Sequence, residues 1–106
     1  MRRGKPDGNA RELDCVLDGY GAKYLKLDAL GDDAPDRLIG FWGLDQLVEY
    51  KNPEGRDTVS NGQAEFYRNW RGRPVMVVRT AAELEAVLDH MRPGDCETCA
   101  VVTGSP

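Results

Sequence analysis

Two strand-like runs, residues 37–42 and 46–51, are separated only by Gly43-Leu44-Asp45. Both are rich in apolar and aromatic side chains, and a turn glycine stands between them, so they predict an antiparallel hairpin. A lone hairpin is marginal in water, so the rest of the chain has to supply more strands and a helical cover. The hairpin also fixes side-chain direction. Residues two apart in a strand share a face, so Glu49 and Lys51 project together while Tyr50 points the other way. Asp36 precedes the first run, behind Pro35. With Asp36 beside the partner strand, two carboxylates and one ammonium converge on a small volume. Two hard oxygen ligands suit a magnesium-like or manganese-like ion that keeps waters for a phosphate. The ammonium would orient a water or offset charge on a phosphoryl group. The same triplet also arises by chance where 30% of residues are charged, and there it is a solvated strand face.

The remaining pattern supplies the cover. Asn9-Ala10-Arg11-Glu12 reads as an N-cap with a capping-box glutamate. Leu13, Val16 and Leu17 form an apolar stripe, and Gly19 or Gly21 ends the helix. Residues 24–27 predict a strand, 31–35 a loop, and 52–59 a second loop. Ser60-Asn61-Gly62-Gln63 is a second capping box, opening a helix through Ala64, Phe66, Tyr67 and Trp70 to Gly72. Residues 73–79 are nearly all apolar, the mark of a strand buried on both faces. Thr80-Ala81-Ala82-Glu83 is a third capping box, before a helix faced by Leu84, Val87, Leu88 and Met91 and stopped at Pro93-Gly94. The order is helix, three strands, helix, strand, helix: an α/β fold with a mixed central sheet flanked by helices. We expect a flexible N-terminus over 1–8, one domain over 9–91 and a C-terminal tail over 92–106.

A chain of 106 residues builds one modest core. It has no run of apolar residues able to span a membrane and no secretory signal pattern at Met1-Arg2-Arg3-Gly4-Lys5, so a cytoplasmic location is expected. The net charge of −4 argues against tight, indiscriminate nucleic-acid binding but leaves room for a local basic groove. Cys15, Cys96 and Cys99 make an odd count and read as reduced thiols. Cys96 and Cys99 form half of a zinc knuckle, and only His90 and Cys15 remain to complete it, without ligand-pair spacing. A tail or dimer contact is the alternative.

Taken in order, these elements and residues resemble the PD-(D/E)xK nuclease superfamily, and more closely the VRR-NUC domain of phage and repair nucleases. The likeness covers residues 12–88. It rests on Glu12 in the first helix, Pro35-Asp36, Glu49-Tyr50-Lys51, Ser60 and Gln63, an aromatic later in that helix, Gly72, and the run from Pro74 to Arg79. It implies a restriction-endonuclease-like αβββαβα core and a metal-dependent endonuclease for structured DNA such as Holliday junctions or flaps, in the host cytoplasm if phage-encoded. It further implies Mg2+ or Mn2+ held by Asp36, Glu49 and the Tyr50 carbonyl, with Glu12 as a further ligand. Lys51 would position the attacking water, and Gln63 would reach towards the metal or scissile phosphate. A homodimer is implied by likeness to archaeal junction resolvases.

Other readings stand beside these. Capping also explains Glu12 and Gln63, and Asp36 also reads as a loop aspartate after proline. Arg37, Arg56, Arg68 and Arg71 are candidate contacts to DNA phosphates, or simply solvated cations. Trp42 and Trp70 suit stacking, core or dimer packing. The chain departs from the family pattern in the extra acids Asp32 and Asp33 and in Arg37, where a small or apolar residue is commoner. The alternative function is a catalytically silent DNA- or protein-binding module with the same fold.

Overall fold

A computed structural model describes residues 9–31, 33–54 and 59–93. The expectations for residues 1–8, Asp32, Arg56 and the tail with Cys96 and Cys99 lie outside them. The elements run α1 (Ala10–Tyr20), β1 (Lys23–Lys26), a 3-10 turn (Asp28–Leu30), β2 (Arg37–Phe41), β3 (Leu44–Tyr50), α2 (Asn61–Asn69), β4 (Met76–Val78) and α3 (Ala81–Met91). The four strands form one sheet in the order β1-β2-β3-β4, antiparallel as far as β3, with β4 parallel to β3. The expected α/β class and mixed sheet are present. Among the described residues no helix is long and apolar enough to cross a membrane.

Helices α1 and α3 cover one sheet face. Leu13 and Leu17, one turn apart on α1, meet Leu84, Val87, Leu88 and Met91 of α3 over Ile39, Val48 and Val78. Gly21 closes α1 with a left-handed C-cap at φ 79°. The opposite face belongs to α2, which buries none of its residues fully.

Three expectations are corrected. The hairpin turns at Trp42-Gly43, both at positive φ (53° and 78°), rather than over 43–45. That backbone matches the twist of a two-residue turn, and Gly43 adopts it without a Cβ penalty. The shift sets the register. Arg37 pairs with Val48, where the ladder ends, and the Asp36 N–H also donates to the Val48 carbonyl at 3.1 Å, which keeps Asp36 beside the Val48-Glu49 step of β3. A turn over 43–45 would have set Asp36 opposite Asn52. Second, the run at 73–79 is not buried on both faces. Only Met76–Val78 forms ladder, at the sheet edge, and Met76 is 41% exposed. Third, Asn9 makes no side-chain cap bond. Its amide instead donates to the carbonyls of Lys51 (3.0 Å) and Arg79 (3.1 Å), tying together the ends of β3 and β4. Capping therefore does not account for Glu12.

Candidate functional site

Strand alternation sends consecutive residues of the β2–β3 corner to opposite faces. Arg37 and Tyr50 go towards α1, while Asp36 and Glu49 go towards α2. The Arg37–Tyr50 side is closed. The Arg37 guanidinium grips Asp14 through two 2.9 Å bonds, donates to the Asp36 carbonyl at 2.9 Å and lies over the Tyr50 ring. The Tyr50 hydroxyl donates to Asp14 at 2.8 Å. Burial opposes the charge on Arg37, yet the Asp14 carboxylate outweighs it and holds the guanidinium protonated. Arg37, expected as a phosphate contact, is 3% exposed. A guanidinium enclosed and spent in this way is a structural cation.

The other side is open. The Asp36 main chain is pinned by its N–H to the Val48 carbonyl at 3.1 Å, and its Oδ2 accepts the Tyr50 N–H at 2.8 Å. The N–H and C=O of one strand residue point to the same side, so the Tyr50 carbonyl lies on the Asp36 side of β3. Glu49 is 6% exposed. Its Oε2 accepts from Gln63 Nε2 at 3.1 Å and pairs with Lys51 Nζ at 3.5 Å. Its Oε1 is buried and has no partner. Burial pushes both carboxyls above their ordinary values, and the Asp36 charge adds to the rise at Glu49. Lys51 and Gln63 oppose that rise at Glu49, and the Tyr50 N–H and Arg37 oppose it at Asp36.

Gln63 does two things at once. Ser60 Oγ accepts from the Gln63 N–H (3.1 Å) and Gln63 Oε1 accepts from the Ser60 N–H (3.2 Å), so the capping box forms. The same Oε1 also accepts from Lys51 Nζ at 3.5 Å, which leaves the amide nitrogen to hold Glu49. Capping locks the glutamine in the rotamer that reaches the site.

One turn further along α2, the Tyr67 hydroxyl is buried without a partner. Desolvation raises its pKa, and the charges of Glu49, Asp36 and Asp33 raise it further. The sequence signal was its i+4 spacing from Gln63, which puts both on one helical face. Asn9 was legible only as a helix cap.

A cavity of about 170 Å³ opens at this corner, walled by Asn9, Ala10, Asp28, Asp36, Arg37, Glu49, Tyr50 and Asn52. Helix α1 reaches it through Asn9 and Ala10, while Glu12 is exposed. Arg68 and Arg71 are exposed at the far end of α2. Among the described residues no group of three or more His, Cys, Asp or Glu gathers to hold a metal. Of the three acids at the cavity, Asp28 pairs with Arg37 at 3.5 Å, which leaves the Asp36 and Glu49 carboxylates and a backbone carbonyl as donors. A buried carboxylate oxygen without a partner, in a cavity shared with a second carboxylate, is a costly arrangement in isolation. A hard cation held by these oxygen donors would satisfy it, so the residues fit a magnesium-like or manganese-like ion.

Comparison with protein-family models, with curated proteins and with solved structures gives no match for this chain.

Proposed function

We propose that this chain is a divalent-metal-dependent endonuclease of the PD-(D/E)xK type, VRR-NUC-like, that hydrolyses phosphodiester bonds in structured DNA such as junctions or flaps. The observation that carries the reading is Glu49. One of its oxygens is held by Lys51 and Gln63, and the other is buried and unpartnered, in a side chain that lines one cavity with Asp36. The mixed four-stranded sheet, with β4 returning parallel to β3, is compatible with the restriction-endonuclease-like core that this reading expects.

Asp36, Glu49 and the Tyr50 carbonyl would hold Mg2+ or Mn2+. When bound, such an ion polarises the phosphoryl group and lowers the pKa of a coordinated water. Lys51, kept beside Glu49, orients the attacking water and offsets the negative charge that grows on the phosphoryl oxygens. Gln63 fixes the Glu49 carboxylate and the Lys51 ammonium through opposite ends of one amide. Asn9 anchors the Lys51 carbonyl, so the backbone leaves β3 in a set direction. The closed Asp14–Arg37–Tyr50 cluster stiffens the same corner from the other face. A homodimer would present two such sites to two strands.

Labelled linear, flap and four-way junction DNA, incubated with protein and Mg2+ or Mn2+, tests the proposal. Cleavage of a branched substrate that is lost in Asp36→Asn and Lys51→Ala is expected. Absence of cleavage of every substrate, or equal cleavage by those variants, would contradict it.

A further inference from the structure

Helix α2 carries a second cleft, of about 300 Å³, that the chemistry above does not use. Its lining is Asp33, Gly62, Glu65, Phe66, Asn69 and Trp70. Phe66 and Trp70 are four apart, and their rings stack at 5.5 Å with 12° between planes. Trp70 is nevertheless 44% exposed. Two glycines keep this arrangement open. A Cβ at Gly62 would run into the Asp33 carboxylate, and one at Gly72 would come within 2.7 Å of the Trp70 indole nitrogen.

The chemistry of the lining selects a ligand. Flat aromatic rings receive another flat ring by stacking. The Asp33 and Glu65 carboxylates only accept hydrogen bonds when ionised, and they repel a phosphate. Aromatic floor and acidic rim together admit a planar, neutral group with N–H donors and turn the phosphate backbone away. Gly62 in this lining directly precedes Gln63, whose amide holds Glu49, so the cleft adjoins the acids.

We propose that this cleft binds one unpaired, amino-bearing nucleobase, stacked on Trp70 with its amino edge towards Asp33 and Glu65. The proposal deepens the nuclease reading and rests on it. It makes the substrate a DNA with an unpaired nucleotide beside the bond to be cut. In cytosine the exocyclic amine donates to carboxylates, whereas thymine presents an acceptor at that position.

The test uses Trp42→Phe protein, in which Trp70 is the remaining tryptophan of the two in the chain, at low salt with chelator. Oligodeoxycytidylate should quench Trp70 fluorescence saturably, and oligothymidylate should bind about tenfold more weakly. In anisotropy with labelled oligodeoxycytidylate, Trp70→Ala should lose about tenfold in affinity, while Trp42→Ala loses none. Asp33→Asn with Glu65→Gln should erase the preference for cytosine and keep the quenching. Absence of quenching by either oligomer, in protein folded by circular dichroism, would overturn the proposal. So would wild-type affinity in Trp70→Ala. Dissociation of a dimer by Trp70→Ala at unchanged oligomer affinity would assign the cleft to a second copy instead. Because binding is read without divalent ion, quenching without cleavage removes only the nuclease reading. Cleavage without quenching removes only the base site.

Discussion

The two faces of the β2–β3 corner hold polar clusters built from adjacent residues, and they end in opposite states. On the α1 face, Arg37, Asp14 and Tyr50 satisfy one another within 2.8–2.9 Å. On the α2 face, Asp36 and Glu49 are like charges brought together by register, with Glu49 Oε1 and the Tyr67 hydroxyl left without partners. Buried polar groups are nearly always paired. A closed cluster is what a fold needs to stand, whereas an open one is what a fold retains for a ligand. Under the proposed function, the pair of clusters separates stability from activity along a single strand, since Tyr50 serves one and Glu49 and Lys51 the other.

The largest effect should come from breaking the closed cluster. Arg37→Met leaves the Asp14 carboxylate without its cation and should cost about 3–5 kcal/mol in urea unfolding. Next, Glu49→Gln should lower the rate of DNA cleavage at least about a hundredfold. Metal-free stability should stay level or rise by about 0.5–2 kcal/mol, as when a strained functional site is relieved. A loss of stability as large as that of Arg37→Met would erase the distinction between the faces. Tyr67→Phe removes an orphan hydroxyl without changing shape and should stabilise the metal-free chain by about 1 kcal/mol or leave it level.

The gentlest probe is pH. Both Asp36 and Glu49 titrate above their ordinary values of 3.8 and 4.5. Through that window the folded chain holds more protons than the unfolded one. Stability of the metal-free protein should therefore fall as pH rises from about 4 through the raised folded values. Thermal melts should show this slope in the wild type and a flatter one in Asp36→Asn with Glu49→Gln. A wild-type curve no steeper than that of the double variant would argue against the shared burial.

Much of this comparison could be read in the sequence, because strand alternation alone separates Glu49 and Lys51 from Tyr50. The apolar stripes of α1 and α3 likewise gave Leu13, Leu17, Leu84, Leu88 and their cover. What pattern could not supply was register. The turn at Trp42-Gly43 needs positive φ at a tryptophan, which local propensity disfavours, and that turn is what sets Asp36 beside the Val48-Glu49 step. Nor could pattern tell that Arg37 would be consumed by Asp14, some twenty residues away in sequence and met only through folding. Asn9 looked like a cap for the same reason: its partners, the Lys51 and Arg79 carbonyls, are distant in the chain. Gln63 was legible both as a cap and as a site residue, and it serves as both.

The most direct measurement is calorimetric titration of Mn2+ into metal-free wild type, Glu49→Gln and Arg37→Met at neutral pH, below the melting temperature of each. Saturable binding to the wild type, retained by folded Arg37→Met and lost in Glu49→Gln, is the predicted result. Equal binding by wild type and Glu49→Gln would contradict the assignment of the open cluster as a metal site.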